Sequence, residues 1–433
     1  MKIGISVAKS VAVSLSNADT SYGIEWDVTN PVTSVTRIGN MTLHALLPIQ
    51  SLMRGCLVLD NETVNYYLNP TDWTKKADGT PAKLDGTDGQ VMVEIPAHYR
   101  TFYQNGNKQG CRVSLQYKDG FTYVPKWYVS SYEPTIDRTN LKLASVVNAS
   151  TQYRGGDNNA TVDAAANTRL GMPVTNLSRT QFRTYARARG SVNWNELTFG
   201  AHDDYSYLYY IEYANLNCQL PVNAAKDANG YAQGGLGNGV TDIDGTLWNN
   251  FNGTNPVIPC GTSNILGNGT GEVAYNMPSL YNATIKTTKV PRYRGIENPF
   301  GHIWKWMDGV NIEMQADSAG ALSKVWVANT PADFSDSGYV NHVYVGNMAR
   351  LSGYITALIP GTLFPLFAGG GSTTYWSDYN YTSLPATGES LRGLLFGGVA
   401  AYGSIAGLAC AHSYYTPANA GTNVGSRLCL LGS

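Results

Sequence analysis

The chain has 433 residues and a formal net charge of -1, with 14% charged side chains, 46 glycines and 29 tyrosines. Its charged fraction is well below the roughly 25% of an average soluble domain, so hydroxyl and amide groups supply much of its polarity. A net charge this close to zero gives no general attraction to phosphates. The composition therefore argues against nucleic acid and membranes as partners, and favours binding through neutral hydrogen bonds and stacking.

The N-terminal part of the chain predicts short strands separated by proline and glycine over residues 1–85. Residues 1–19 lack the continuous apolar run of a secretory signal or of a membrane span. The Gly- and Asp-rich stretch 75–89 is typical of a linker. We therefore predict a small, mostly β N-terminal domain over residues 1–85 and a second domain over residues 86–433.

The second domain begins with two alternating segments, residues 91–95 and 112–117, which predict strands that pair with each other. Residues 178–181 have the spacing of a capping box and predict a helix that ends near Arg189. Apolar residues at helical spacing over 204–216 predict a second helix, with the adjacent pair Asp203 and Asp204 as N-terminal caps. These elements indicate an α+β chain, rich in strands and loops, with two main helices.

Groups that could carry catalysis do not form a recognisable motif. None of the six histidines lies in a nucleophile, metal or acid–base pattern. The six cysteines are widely scattered without zinc-site spacing, so we expect them to be reduced. The nearby carboxylates of Glu25 and Asp27 could serve glycoside hydrolysis, but closeness along the chain does not give the spacing needed across a sugar. No catalytic residue, cofactor or metal is assigned.

Three large aromatic side chains, Tyr293, Trp304 and Trp306, could stack on a sugar. Large aromatic residues at alternate positions of a strand more often belong to the hydrophobic core. The core interpretation is therefore preferred for all three.

The C-terminal segment carries a specific resemblance. Its sequences Leu-Arg-Gly-Leu-Leu-Phe-Gly-Gly at residues 391–398 and Val-Gly-Ser-Arg-Leu-Cys at 424–429 resemble those of the variable proteins of diversity-generating retroelements. In such proteins a reverse transcriptase randomises template adenines, so Asn-type codons change while Gly, Ser and Ala remain as a frame. A randomised Asn codon cannot encode Lys, Glu, Gln, Met or Trp, and none of these occurs at residues 399–422. The resemblance implies a variable region at about 391–433.

The resemblance also implies which positions bind ligand and which form the frame. The implied ligand-binding positions are Val399, Ala401, Tyr402, Ile405, Leu408, Cys410, His412, Tyr414, Tyr415 and Gly421. The implied frame positions are Ala400, Gly403, Ser404, Ala406, Gly407 and Pro417. Because burying an unpartnered polar side chain destabilises a fold, we expect the variable side chains to point outward. We expect Arg392 and Arg427 to fix loop carbonyl groups.

A second resemblance concerns the fold. Residues 298–306, followed by Asp308-Gly309, resemble the central strand region of C-type-lectin folds related to formylglycine-generating enzymes. This resemblance implies a C-type lectin-like domain over most of residues 86–433. Those enzymes use a close pair of cysteines near the C-terminus, whereas here Cys410 is an implied variable position and Cys429 lies in the predicted closing strand. The oxidase activity is therefore not carried over, and no residue spacing indicates a calcium site.

Together the resemblances imply a receptor-binding, tropism-determining protein of a phage tail, located in the virion and extracellular when functional. The expected partners are a host bacterial surface receptor, either protein or glycan, and other tail proteins, with the chain forming a homotrimer. Residues 1–85 resemble the virion-attached part of phage proteins. The alternatives are a bacterial cell-surface adhesin on the same fold, which the lack of a predicted signal sequence disfavours, and an enzyme that acts on glycans.

Overall fold

The computed structural model describes residues 19–164, 167–238, 243, 245–250, 252–277 and 286–432. Residues 1–18, where the sequence predicts neither a signal nor a membrane span, lie outside the described residues. Strands account for 37% of the chain and helices for 15%, which confirms the predicted strand-rich α+β class. Among the described residues, no helix combines the length and apolar character needed to cross a membrane.

Strands in the first half of the chain are β1 (Ser21–Asp27), β2 (Thr36–Gly39), β3 (Arg54–Val58), β4 (Val64–Asn69), β5 (Asp72–Lys76), β6 (Gln90–Ile95), β7 (His98–Asn105), β8 (Lys108–Ser114), β9 (Thr122–Val124), β10 (Trp127–Ser130), β11 (Thr135–Asp137), β12 (Lys142–Ala144) and β13 (Trp194–Glu196). Strands in the second half are β14 (Val222–Lys226), β15 (Ala232–Gly234), β16 (Gly271–Met277), β17 (Lys286–Tyr293), β18 (Ile296–Glu297), β19 (Trp304–Gln315), β20 (Ser323–Val327), β21 (Val343–Asn347), β22 (Gly353–Leu358), β23 (Pro365–Ala368), β24 (Tyr379–Tyr381), β25 (Glu389–Phe396), β26 (Ala411–His412), β27 (Val424–Gly425) and β28 (Leu428–Leu430). The α-helices are α1 (Met41–Leu46), α2 (Pro48–Ser51), α3 (Arg179–Arg187), α4 (Phe199–Tyr213) and α5 (Gly245–Asn250).

The N-terminal strands share their sheets with strands from later in the chain. A five-stranded sheet has the order β2-β1-β8-β7-β9, and a seven-stranded sheet has the order β13-β28-β10-β6-β3-β4-β5. Strand β3 pairs with β6 from Arg54, opposite Glu94, to Val58, opposite Gln90. Strands from both sides of the boundary expected near residue 85 therefore pair within one sheet, so this boundary does not coincide with a division between sheets.

The predicted pairing between the segments 91–95 and 112–117 is wrong. The first segment forms β6, which pairs with β3 and β10, and all six of its residues are buried. The second overlaps β8, which ends at Ser114 and pairs with β1 and β7 in the other sheet. Alternation identified both strands, but it contains no information about the partner that each strand selects.

Helix α3 follows its prediction closely. The Ser178 hydroxyl accepts a hydrogen bond from the Gln181 backbone N–H at 3.3 Å, and the Gln181 side chain accepts one from the Ser178 N–H at 2.9 Å. This reciprocal arrangement is the capping box that the sequence predicted. The helix packs near β12, β13 and β19.

Helix α4 begins at Phe199, earlier than predicted, because Thr198 caps it by accepting a hydrogen bond from the Ala201 N–H at 3.2 Å. The predicted capping role of Asp203 and Asp204 is therefore wrong. Both carboxylates lie inside the helix and are buried. Asp203 pairs with Arg100 at 3.0 Å, and Asp204 pairs with Arg100 at 3.2 Å and accepts a hydrogen bond from Trp127 Nε1 at 3.0 Å. They therefore link α4 to the sheets.

A third large sheet contains the C-terminal segment. Its strand order is β21-β20-β19-β25-β26-β24-β22-β23, and β27 pairs with the start of β19 in parallel. The closing strand β28 leaves this sheet and lies between β10 and β13 of the seven-stranded sheet. The implied variable region therefore begins in one sheet and ends in another.

Arg427 lies between β27 and β28, where the chain passes from the sheet that contains β19 to the seven-stranded sheet. Its fully buried guanidinium donates hydrogen bonds to the carbonyl oxygens of Ser130 at 3.1 Å, Ser131 at 3.4 Å and Asn298 at 2.7 Å, and also to that of Glu297. The first two carbonyls lie at the end of β10, in the seven-stranded sheet, and the other two lie at the end of β18, in the sheet formed by β16, β17 and β18. The expected anchoring role of Arg427 is confirmed.

Arg392 does not show the same role. Among the residues that the structure describes, its guanidinium donates no hydrogen bond to a loop carbonyl, and its Nε is buried without a partner. Arg392 lies in β25, beside β19.

We predict that Arg427→Lys lowers the free energy of unfolding by at least about 2 kcal/mol, because an ammonium cannot reach four carbonyls and leaves some of them buried without a donor. Chemical denaturation measures the change. Arg54→Lys is the matched control: Arg54 contacts Glu94 at 3.0 Å but its side chain is 46% exposed, so we expect a loss under about 1 kcal/mol. Equal losses in the two variants would count against the clamp.

Candidate functional site

The ten implied ligand-binding positions lie between β25 and β27, and the structure divides them by burial. Val399, Leu408, Cys410 and His412 are buried. Tyr414 is 48% exposed, and the half-buried positions are Ala401, Tyr402, Ile405, Tyr415 and Gly421. The expectation that all ten point outward is therefore wrong for the four buried residues.

Packing against the core explains the buried positions. Val399 and Cys410 belong to the hydrophobic cluster that contains Trp304 and Trp306, and Leu408 belongs to the larger cluster around α4. Side chains at these positions affect stability as well as surface chemistry.

Two glycines of this segment have a steric reason to be glycine. Gly398 has a positive φ of 78°, and a Cβ there would lie 2.6 Å from Ala406 Cβ. At Gly407, a Cβ would lie 1.9 Å from a carboxylate oxygen of Asp378. Since neither position can accept a larger residue without a backbone shift, they fix the path of the loop at residues 403–410.

Side chains from outside the variable region hold the backbone of this loop. His202 on α4 donates to the Leu408 carbonyl at 2.7 Å, and the Leu408 N–H donates to Cys218 Sγ at 3.3 Å. Gln219 donates to the Gly403 carbonyl at 3.0 Å. The loop is therefore held in part by residues that lie outside the implied variable region.

His202 is held as a neutral donor in this contact. Burial lowers its pKa to about 3, which keeps the imidazole uncharged at neutral pH. Its second ring nitrogen, Nδ1, lies 2.6 Å from the hydroxyl of Tyr205, which can donate to it. The ring orientation is thus fixed on both sides.

Asp378 is a residue of the site that sequence reasoning missed. It is fully buried just before β24 and accepts a hydrogen bond from the Ala409 N–H at 2.8 Å. Burial raises the pKa of Asp378 well above its usual value, which favours the neutral acid. Its contact with Gly407 explains why that position requires glycine.

Six rings form a continuous cluster that we call the aromatic surface. Its members are Trp304, Tyr381, Tyr402, His412, Tyr414 and Tyr415. Neighbouring ring centroids are separated by 5.8 Å for Trp304 and Tyr402, 5.2 Å for Tyr381 and Tyr402, and 4.8 Å for His412 and Tyr415. Trp304 and His412 are also 5.2 Å apart, and Tyr414 and Tyr415 are 5.6 Å apart. These distances are typical of favourable aromatic pairs.

The aromatic surface is electrically neutral near pH 7. Burial lowers the pKa of His412 to about 4, and burial raises the pKa values of Tyr381 and Tyr402. The hydroxyls of Tyr381 and Tyr402 therefore stay protonated and can both donate and accept hydrogen bonds. None of the six residues is acidic. The surface suits stacking and neutral hydrogen bonds rather than nucleophilic or acid–base catalysis.

The structure confirms one interpretation of the aromatic residues and adds to it. Tyr293, Trp304 and Trp306 are buried, as the core interpretation predicted. Trp304 also supports Tyr402 and His412 from below. Tyr381 lies outside the variable region and was not predicted. The alternation of polar residues and tyrosines at residues 378–381 could have indicated a strand with two tyrosines on one face.

The cysteines and the other potential metal ligands of the described residues do not form a metal centre. All six cysteines are buried and free of disulfides, which agrees with the prediction that they are reduced. Within the described ranges, no group of three or more His, Cys, Asp or Glu side chains could hold a metal ion. No protein-family model and no curated protein matches the chain.

We predict that Gly407→Ala lowers the free energy of unfolding by at least about 2 kcal/mol, because its Cβ must displace Asp378 or the loop backbone. Thermal or chemical unfolding measures the loss. Gly200→Ala is the matched control, since Gly200 lies exposed in α4 with open space around it and should gain up to about 1 kcal/mol. A Gly407→Ala variant as stable as the parent would exclude the steric role.

Proposed function

We propose that this chain is a receptor-binding protein of a phage tail, with a C-type lectin-like fold whose variable region binds a ligand on the host cell surface. One observation carries the proposal. An aromatic surface that is neutral near pH 7 includes four residues of the implied variable region, and side chains from outside that region hydrogen-bond to the loop at residues 403–410. Such an arrangement allows the surface chemistry to change while the fold is kept.

The composition of the surface supports a binding role. Tyrosine and tryptophan give large contact areas and lose little conformational entropy when they bind. Here the rings of Tyr402, Tyr414 and Tyr415 already contact other rings, so little additional ordering is required. The free energy of binding is what remains of the interaction energy after the cost of ordering the side chains has been subtracted. Because these rings are already packed against each other, that cost is reduced.

The arrangement of strands also supports the proposed fold. The long strand β19 pairs with β25 at the start of the variable region and with β27 near its end. The last strand, β28, returns to the seven-stranded sheet beside β10. The loops of the implied variable region are therefore held by paired strands at both ends, which is compatible with a C-type lectin-like fold.

A homotrimer on a tail would strengthen weak single-site binding. When several sites engage one cell surface, each later contact forms at a high effective concentration, and overall affinity can rise by about 10²–10⁴. A modest affinity at one aromatic surface would then suffice for attachment. The proposed partners are a host surface receptor and the neighbouring tail proteins.

We predict that Tyr414→Ala combined with Tyr415→Ala abolishes binding to host cells, because the double variant removes the two outermost rings of the aromatic surface. The melting temperature should fall by no more than about 4 °C, since Tyr414 is 48% exposed and Tyr415 is half-buried. Flow cytometry with labelled protein and a thermal melt measure the two effects.

Tyr117→Ala is the control for this double variant. Tyr117 is 69% exposed and contacts Tyr99, outside the aromatic surface. Binding should be unchanged in this variant. A large stability loss in the Tyr414 and Tyr415 variant, or retained binding, would contradict the proposed role.

We predict that deep sequencing of the 3′ end of the gene, from a population of the source element, shows variation confined to the implied variable positions. The exposed and half-buried positions, such as Tyr402, Ile405 and Tyr414, should vary most. Buried Val399 and Leu408 should retain mainly apolar residues among functional copies, because polar side chains there would destabilise the fold. An unvaried 3′ end would remove the diversification part of the proposal.

A further inference from the structure

The strand β24 presents alternate residues to opposite sides. Asp378, just before the strand, and Asn380 are buried, whereas Tyr379 and Tyr381 are half-buried. Successive side chains of a strand point to opposite faces, so the two tyrosines share one face. That face is the one on which Tyr381 contacts Tyr402 of the aromatic surface.

The register of the neighbouring strands places further rings on the same face. Tyr379 lies directly opposite Tyr354 of β22, and Tyr381 lies directly opposite His412 of β26. Residues directly opposite each other in paired strands point to the same side of a sheet. Rings from β22, β24 and β26 therefore form a row across three neighbouring strands.

The ring distances make this row continuous with the aromatic surface. Ring centroids are 5.2 Å apart for Tyr354 and Tyr379, 4.6 Å for Tyr379 and Tyr381, and 5.9 Å for Tyr381 and His412. Tyr354 is half-buried like the other two tyrosines. All three precede residue 391, so they lie outside the implied variable region. We call Tyr354, Tyr379 and Tyr381 the fixed arm.

We infer that the fixed arm is part of the ligand site and that it binds a neutral saccharide chain of the host cell surface. This inference rests on the proposed function and specifies its ligand class. The fixed arm would contribute affinity common to all copies of the protein. The variable residues beyond it, such as Tyr402 and Tyr414, would then discriminate between saccharides.

The chemistry of the row favours a saccharide. Each ring offers an apolar face, and each tyrosine also offers a hydroxyl that donates and accepts hydrogen bonds. A sugar unit has the same two features, with an apolar face of C–H groups and a rim of hydroxyls. A chain of such units can repeat these contacts along a row of rings. The row contains no carboxylate, lysine or arginine, and burial lowers the pKa of His412 to about 4, so the row offers no ion pair to a charged polymer at neutral pH.

The ring contacts of Tyr379 allow the fixed arm to be tested separately from the rings of the implied variable region. Tyr379 makes its ring contacts with Tyr354 and Tyr381 and with no ring of the variable region among the described contacts. Removing its ring would therefore leave the packing of Tyr402, Tyr414 and Tyr415 intact. This makes Tyr379 the residue whose substitution distinguishes a site confined to the variable region from one that extends beyond it.

The test uses the full chain, fluorescently labelled, and a panel of bacterial strains from which a strain bound by the parent protein is chosen. We expect Tyr379→Ala to weaken binding to that strain at least about 10-fold, and Tyr379→Phe, which keeps the ring, to stay within about 3-fold. Tyr339→Ala is the matched control. Tyr339 is a half-buried tyrosine stacked on Trp326, with ring centroids 5.5 Å apart. Trp326 lies in β20, which β19 and β25 separate from β26, the nearest strand of the row. Binding by this variant should equal that of the parent.

Treatment of the same cells tests the ligand class. Periodate, which cleaves vicinal diols of sugars, should remove binding, whereas protease treatment should leave it. Binding that survives Tyr379→Ala, or that is lost with protease but kept after periodate, would overturn the inference and leave the proposed receptor-binding function in place. If the parent protein binds no strain in the panel, the proposed function itself fails, and the inference fails with it.

Discussion

The buried guanidinium of Arg427 is the interaction on which the rest of the structure depends. It contacts four carbonyl oxygens from two segments that are distant in sequence, at Ser130 and Ser131 and at Glu297 and Asn298. Because a buried carbonyl without a donor is costly, this one side chain joins the start of the closing strand to the ends of β10 and β18. The loops between β25 and β28 are thereby held at their C-terminal end, while the pairing of β25 with β19 holds their start.

Anchoring at both ends allows stability and surface chemistry to be separated, but only in part. The loop at residues 403–410 takes its backbone shape from His202, Cys218, Gln219 and Asp378, none of which lies in the implied variable region. Val399, Leu408 and Cys410 nevertheless pack into the core. A polar residue at these positions would lose its hydration without gaining a partner. The exposed and half-buried positions can therefore accept a wider range of side chains than the buried ones.

In the aromatic surface and the fixed arm, the pairing of strands sets the relative positions of the rings. Paired strands lie about 4.8 Å apart, so tyrosines opposite each other on β22 and β24 are held within ring contact by backbone hydrogen bonds. The result is a row of neutral rings whose order is set by strand register.

The sequence by itself determined the local features: the strand-rich α+β class, the capping box of α3, the strand at residues 90–95 and the reduced cysteines. Each depends on residues close together in the chain or on composition. The tertiary structure alone decided which strands pair, that Asp203 and Asp204 are buried partners of Arg100, that four implied variable residues are buried, and that Tyr381 adjoins His412. These outcomes depend on contacts between segments that are distant in sequence. Local periodicity indicates which residues share a face of a strand or helix, but not which part of the protein packs against that face.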